Sequence, residues 1–123
     1  MRSHRLRSIS ILATALVLGV AAIAAAHTEV ASTTPASGAT AKTSTSKVTV
    51  TFTGPVTRGT LRVSGPGGAT ASVGQGARDP RNVKRMAVGL KRSLKAGSYK
   101  ASWTVVAADG HTQKGSFRFT LKK

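Results

Sequence analysis

Lys47 to Thr53 (KVTVTFT) alternates without a break, with Val48, Val50 and Phe52 on one side of an extended chain and Lys47, Thr49, Thr51 and Thr53 on the other. Successive side chains of a strand point to opposite faces, so such a run builds a sheet with one face against a core and the other in water. The same period returns near the C-terminus. In Ser98 to Ala107 (SYKASWTVVA), Tyr99, Ala101, Trp103 and Val105 alternate inward, and Phe117, Phe119 and Leu121 repeat the pattern on a last strand.

Between these runs the chain is punctuated by glycine and proline. His27 to Thr33 (HTEVAST) reads as a short first strand, followed by a loop from Pro35 to Ser46 that begins with TPASGA turn chemistry. Gly54-Pro55 stops the alternating strand, and Arg58 to Val63 begins another with Leu61 and Val63 facing in. Ser64 to Gly68 (SGPGG) is a tight turn, Ala69 to Val73 an edge-strand candidate, and Gly74 to Asn82 a loop. Val83 to Leu90 also has some helical spacing, but Gly89 and the surrounding β pattern favour a strand. About seven short strands with no convincing long helix predict an all-β, two-sheet antiparallel sandwich with immunoglobulin-like architecture. The chain has no cysteine, so packing alone must hold it, and a thiolate metal site is excluded.

The first 26 residues read differently. Arg2, Arg5 and Arg7 form a positive segment, Ile9 to Ile23 is apolar and Ala-rich, and Ala24-Ala25-Ala26 offers the small residues a signal peptidase reads. Residues 1–26 are therefore expected to be a signal peptide, with a domain at 27–123 exported to the periplasm or another extracytoplasmic space. The apolar run is too short and Ala-rich for a comfortable membrane span, and no second hydrophobic stretch follows.

Removing those residues leaves 97 and takes three arginines away, lowering Lys plus Arg from 19 to 16 against three acids, a net charge of +13. Such a domain should associate weakly with anionic surfaces. Specific nucleic-acid binding is not expected, because export separates the protein from cytoplasmic nucleic acid, and one Trp, one Tyr and three Phe offer little base stacking. The densest basic stretch, Arg78 to Lys95, reads first as a solvated face and second as an anion-docking patch.

Cleavage after Ala26 would make His27 the first residue, with a free α-amine beside its imidazole. The amine nitrogen and Nδ1 can then chelate one cation, and both groups titrate close enough to neutrality (about 8 and about 6.5) to give up their protons readily. The competing reading is a histidine left by chance at a frayed terminus. The other histidine of residues 27–123, His111, follows Asp109 by two residues, and the cationic surroundings should keep that carboxylate ionised. Asp109-Gly110-His111 reads equally as a hairpin turn with an exposed histidine or as a ligand pair. Taken together, an amine, two imidazoles and a carboxylate form a nitrogen-rich set that favours Cu(II), with Zn(II) and Ni(II) as competitors. Cu(I) would want sulfur, and Met86 is the one methionine after residue 26.

These residues carry a resemblance. The leader, His27, TPASGA, KVTVTFTGPV and LKAGSYKASWTVVAADGHTQKGSFRFTL together resemble the CopC-type copper-resistance proteins, with AGSYKASW, DGH and GSFRFT the most specific segments. The resemblance implies a small Greek-key sandwich that binds one Cu(II) per chain through residues falling on His27, Asp109 and His111. Its departures from the family pattern are Thr112 where proline often follows the D-G-H histidine, Gly54 where some members place an acid, and no methionine-rich loop for a second, Cu(I) site. The function expected is capture of copper for resistance, buffering or hand-over to an inner-membrane transporter, by a monomer that ligates metal without turning it over. Two alternatives are a copper-dependent oxidative enzyme built on the His27 chelate and a cationic adhesive module that needs no metal. Scarce aromatics and an Asp ligand in a position that oxygen chemistry needs open weigh against the enzyme.

Overall fold

The computed structural model describes residues 28–123; the expected leader and His27 lie outside the described residues. Eight strands follow in order: β1 (Val30–Thr34), β2 (Thr40–Lys42), β3 (Lys47–Phe52), β4 (Val56–Ser64), β5 (Ser72–Asp79), β6 (Asn82–Leu90), β7 (Gly97–Ala107) and β8 (Thr112–Lys122). They form two four-stranded sheets, β1-β3-β6-β5 and β2-β8-β7-β4, stacked as a sandwich. Most chain connections cross between sheets; the β5–β6 and β7–β8 hairpins stay within one.

Alternation decides which residues fill the space between the sheets. Val48, Val50 and Phe52 of β3 and Met86 and Val88 of β6 meet Leu61 and Val63 of β4, Tyr99 and Val105 of β7 and Phe119 and Leu121 of β8, all nearly or fully buried. Each such side chain contributes about 1.5–3 kcal/mol by leaving water, so the core needs no covalent staple. Phe52 meets the Trp103 ring edge-on at a centroid distance of 5.1 Å, and Tyr99 stacks on Phe119 at 5.7 Å. Gly115 lies directly opposite Trp103 in the β7–β8 ladder, where the indole occupies the space a β-carbon would need.

Three expectations change. Gly74 to Asn82, expected as a loop, is mostly strand: β5 runs through it and pairs with β6, with register shifts that accommodate Gly74 and Gly76 at φ of 73° and 70°. Main-chain pairing, rather than a side-chain pattern, makes this edge strand. Within the predicted Pro35–Ser46 loop, Thr40–Lys42 adds to β8 in parallel. The first strand begins at Val30, so Thr28 and Glu29 of the expected strand lie outside it, and His27 lies outside the described residues.

The register brings the β3–β4, β5–β6 and β7–β8 connections to one end. Thr51 sits opposite Arg85, Asp79 opposite Asn82, and Val56 opposite Ala107. An Arg78 guanidinium N–H donates to the Val56 carbonyl at 3.1 Å and ties the two sheets together there.

Candidate metal centre

The β7–β8 hairpin turns through Ala108, Asp109 and Gly110. The Gly110 N–H donates to the Ala107 carbonyl (2.9 Å) and the Ala107 N–H to that of His111 (2.9 Å). Gly110 takes φ of 89°, the left-handed region that suits glycine at the end of such a turn. The turn leaves Asp109 and His111 on the same side, and their side chains meet.

Both carboxylate oxygens of Asp109 are engaged by His111. The backbone N–H of His111 donates to Oδ1 at 3.0 Å, and its ring Nδ1 lies 3.0 Å from Oδ2. A lone pair on Nδ1 would face the carboxylate, so Nδ1 carries the proton and donates it, which leaves the lone pair on Nε2. The imidazole is thereby fixed in tautomer and aim. With the His111 side chain 68% exposed and that of Asp109 42% exposed, a cation can approach from solvent.

Two ligands do not make a site, and among the described residues no three of His, Cys, Asp and Glu come together for a metal. The path of the chain at this end shows which described segments lie beside the hairpin. Glu29 is clamped to the end of β3: its N–H donates to Thr53 Oγ1 at 2.9 Å, and its carbonyl accepts the Thr53 N–H at 2.8 Å. Two residues on, the Pro55 carbonyl accepts the Ala108 N–H at 3.1 Å, next to Asp109. A β-carbon at Gly54 would lie 3.0 Å from Thr28 Oγ1, so the glycine is where the N-terminal segment passes. An acidic side chain at 54 would contend with Thr28 for that space.

The structure thus brings Asp109 and His111 together, while His27 lies outside the described residues. Sequence reasoning missed Thr53 and Pro55 as the strut between the N-terminal segment and the hairpin. Their signal was faint: a threonine on the polar side of an alternating strand and a proline known only as a strand stop. Met86, the sole sulfur after residue 26, is fully buried between the sheets and offers no thioether at the surface.

Comparison with known proteins agrees with this architecture. The family model for the CopC domain matches residues 30–122. Protein YobA of Escherichia coli K12 is 30% identical over 99 residues, 79% of this chain and 80% of YobA. CopC from Methylosinus trichosporium OB3b superposes with a TM-score of 0.66 at 21% identity, covering 78% of this chain and 94% of that one. PcoC, a methionine-rich copper resistance protein of Escherichia coli, gives 0.63 at 24% identity, with 79% and 100% covered. A family match that spans every described strand, on a sandwich shared with both solved folds, makes this chain a member of the CopC domain family.

Proposed function

We propose that the protein is an extracytoplasmic Cu(II)-binding protein whose ligands are the α-amine and Nδ1 of a mature N-terminal His27, Nε2 of His111 and the Asp109 carboxylate. The observation that carries this is the double contact of Asp109 with His111, at the end of the sandwich where Glu29 is clamped to Thr53. With no cation bound the carboxylate orients the imidazole through Nδ1, and because Nε2 points away on the far side of the ring, Asp109 has to leave Nδ1 to join His111 on the cation. In sequence His27 precedes Thr28, which packs at Gly54, and the next residue, Pro55, accepts the Ala108 N–H of the hairpin. Family membership supports the reading, since the solved neighbour PcoC is described as a copper resistance protein.

Nitrogen and oxygen donors suit Cu(II), and the burial of Met86 withholds the soft donor that Cu(I) prefers. The chemistry is capture and release without turnover, serving resistance, buffering or hand-over to a membrane transporter, with one copper per monomeric chain. Affinity follows from a hairpin ordered before metal arrives, so little ordering cost remains on binding.

The test is a Cu(II) titration of protein whose N-terminus has been fixed by mass spectrometry. One tight equivalent with equatorial nitrogens in the electron paramagnetic resonance spectrum is expected, weakened at least a hundredfold when one residue is added ahead of His27. Equal affinity with that added residue rules out the amine ligand.

A further inference from the structure

The basic run that dominates the sequence, Arg78 to Lys95, does not form one patch. Arg78 is spent on the Val56 carbonyl and Arg85 on Thr51 and Asp79, while Lys91 and Arg92 lie beyond β6 at the opposite end. The coherent cationic surface is assembled from residues far apart in the chain. On the outer face of the β2-β8-β7-β4 sheet, alternation and register set Arg58 and Arg62 of β4 beside Lys100 of β7 and Lys114, Arg118 and Lys122 of β8. The gaps between them are filled by serines and threonines, and Val106 is the one larger apolar side chain there.

None of the three acids of the chain lies on this sheet: Glu29 precedes β1, Asp79 is on β5 and Asp109 is in the turn beyond β7. Lys100 and Arg118 stand directly opposite one another in the ladder, a like-charge pair that costs stability unless an anion lies between. With Ser98 and the Gly65–Gly68 turn they line a depression of about 350 Å³. The β7 and β8 strands extend about 35 Å, so this is a broad face and not a slot for a single small ion.

We propose that this face docks the protein on the phospholipid headgroups of an anionic bilayer, with Lys100 and Arg118 receiving headgroup phosphate. A broad cationic face rich in hydroxyls and nearly devoid of apolar side chains fits adsorption to a charged surface without insertion. Docked in this way, the sandwich lies along the membrane, and the Asp109–His111 end points sideways along it, open to a neighbour embedded in the same bilayer.

The experiment is co-sedimentation of the exported protein, its N-terminus fixed by mass spectrometry, with vesicles of phosphatidylcholine alone and of phosphatidylcholine with phosphatidylglycerol. Binding is expected only to the anionic vesicles and should vanish near 1 M salt, where the Debye length is about 3 Å. With about fivefold per charge, the triple variant Arg62→Gln/Lys100→Gln/Arg118→Gln should bind about a hundredfold more weakly. The triple variant Arg81→Gln/Lys91→Gln/Arg92→Gln, equal in charge but on other surfaces, should change less than threefold. If the first triple variant does not fold, Arg62→Gln alone carries the test. Equal losses in the two triple variants, equal binding to neutral vesicles, or complete displacement by millimolar inorganic phosphate overturns the proposal. Copper titration of the same variants is a separate readout, so failure of this inference is distinct from failure of the copper site.

Discussion

Two hairpins at the same end of the sandwich are built on the same turn chemistry and differ in one partner. In the β5–β6 hairpin, Asp79 Oδ1 accepts the backbone N–H of Arg81 at 2.9 Å, and its Oδ2 lies 3.8 Å from the guanidinium of Arg85. In the β7–β8 hairpin, Asp109 Oδ1 accepts the N–H of His111 at 3.0 Å, and its Oδ2 lies 3.0 Å from the ring of the same residue. An aspartate that bonds its own backbone two residues on is a common way to close a turn. The first ends on a guanidinium, which is always charged and has no lone pair to give. The second ends on an imidazole, whose far nitrogen has one. The same Oδ1-to-backbone turn is therefore structural in one place and a candidate for ligation in the other, and the partner of Oδ2 makes the difference.

The sharpest way to break this comparison is to remove each partner. His111→Ala is expected to lower Cu(II) affinity by about a thousandfold, roughly 4 kcal/mol, while leaving the melting temperature nearly unchanged because the side chain is exposed. Arg85→Ala should leave copper titration untouched and cost about 1–2 kcal/mol, read by chemical denaturation, since it loses a hydrogen bond to Thr51 and an ion pair that is long and partly solvated. A comparable loss of copper in both variants would show that the hairpins are not distinguished as described.

Removing charge from the two aspartates comes next. Asp109→Asn keeps an oxygen for the turn but not the charge, so copper binding should weaken about 10- to 100-fold. Asp79→Asn should leave the titration as it was. Gly110→Ala should disturb the turn more than the ligands. Nothing lies within 4 Å of the added β-carbon, so its cost is the strain of φ at 89°, about 1–2 kcal/mol, seen as a lower melting temperature with a modest loss of copper affinity. A melting temperature equal to the parent's would mean that the turn relaxes freely and does not fix the Asp109–His111 geometry.

The parts of the fold legible in the sequence were those written in side chains. β3, β7 and β8 alternate because one face is buried, and the period selected that face except that Trp103 is only partly buried and Thr49, on the opposite face, is covered as well. β5 was legible only at Ser72 and Val73, the end of the Ala69–Val73 candidate, and β2 not at all, because neither is specified by a buried stripe. β5 carries Gly74, Gln75 and Gly76 and is held by its ladder to β6, while β2 is three residues that complete the edge beside β8. The same division holds at the site. The Asp109–His111 contact spans two residues, so spacing offered it, though no more strongly than the hairpin turn with an exposed histidine that the structure also has. The strut from Glu29 through Thr53 and Pro55 to Ala108 joins segments far apart in the chain through backbone groups, which every residue has and which no motif records. The basic run shows the reverse case, in which neighbours in sequence are dispersed by the fold and a cationic face arises from strands that sequence order keeps apart.

Trp103 is the only indole in the chain, and it is wedged against Gly115 and the edge of Phe52 in the half of the sandwich nearer the His111 turn. With about 3.3 Å of rise per residue, Ala107, where the turn begins, lies about 13 Å further along β7. Indole emission from this protein therefore comes from a single lamp of fixed orientation. Its brightness gives a label-free optical record of events at that end, to be followed in real time while metal or bilayer is added.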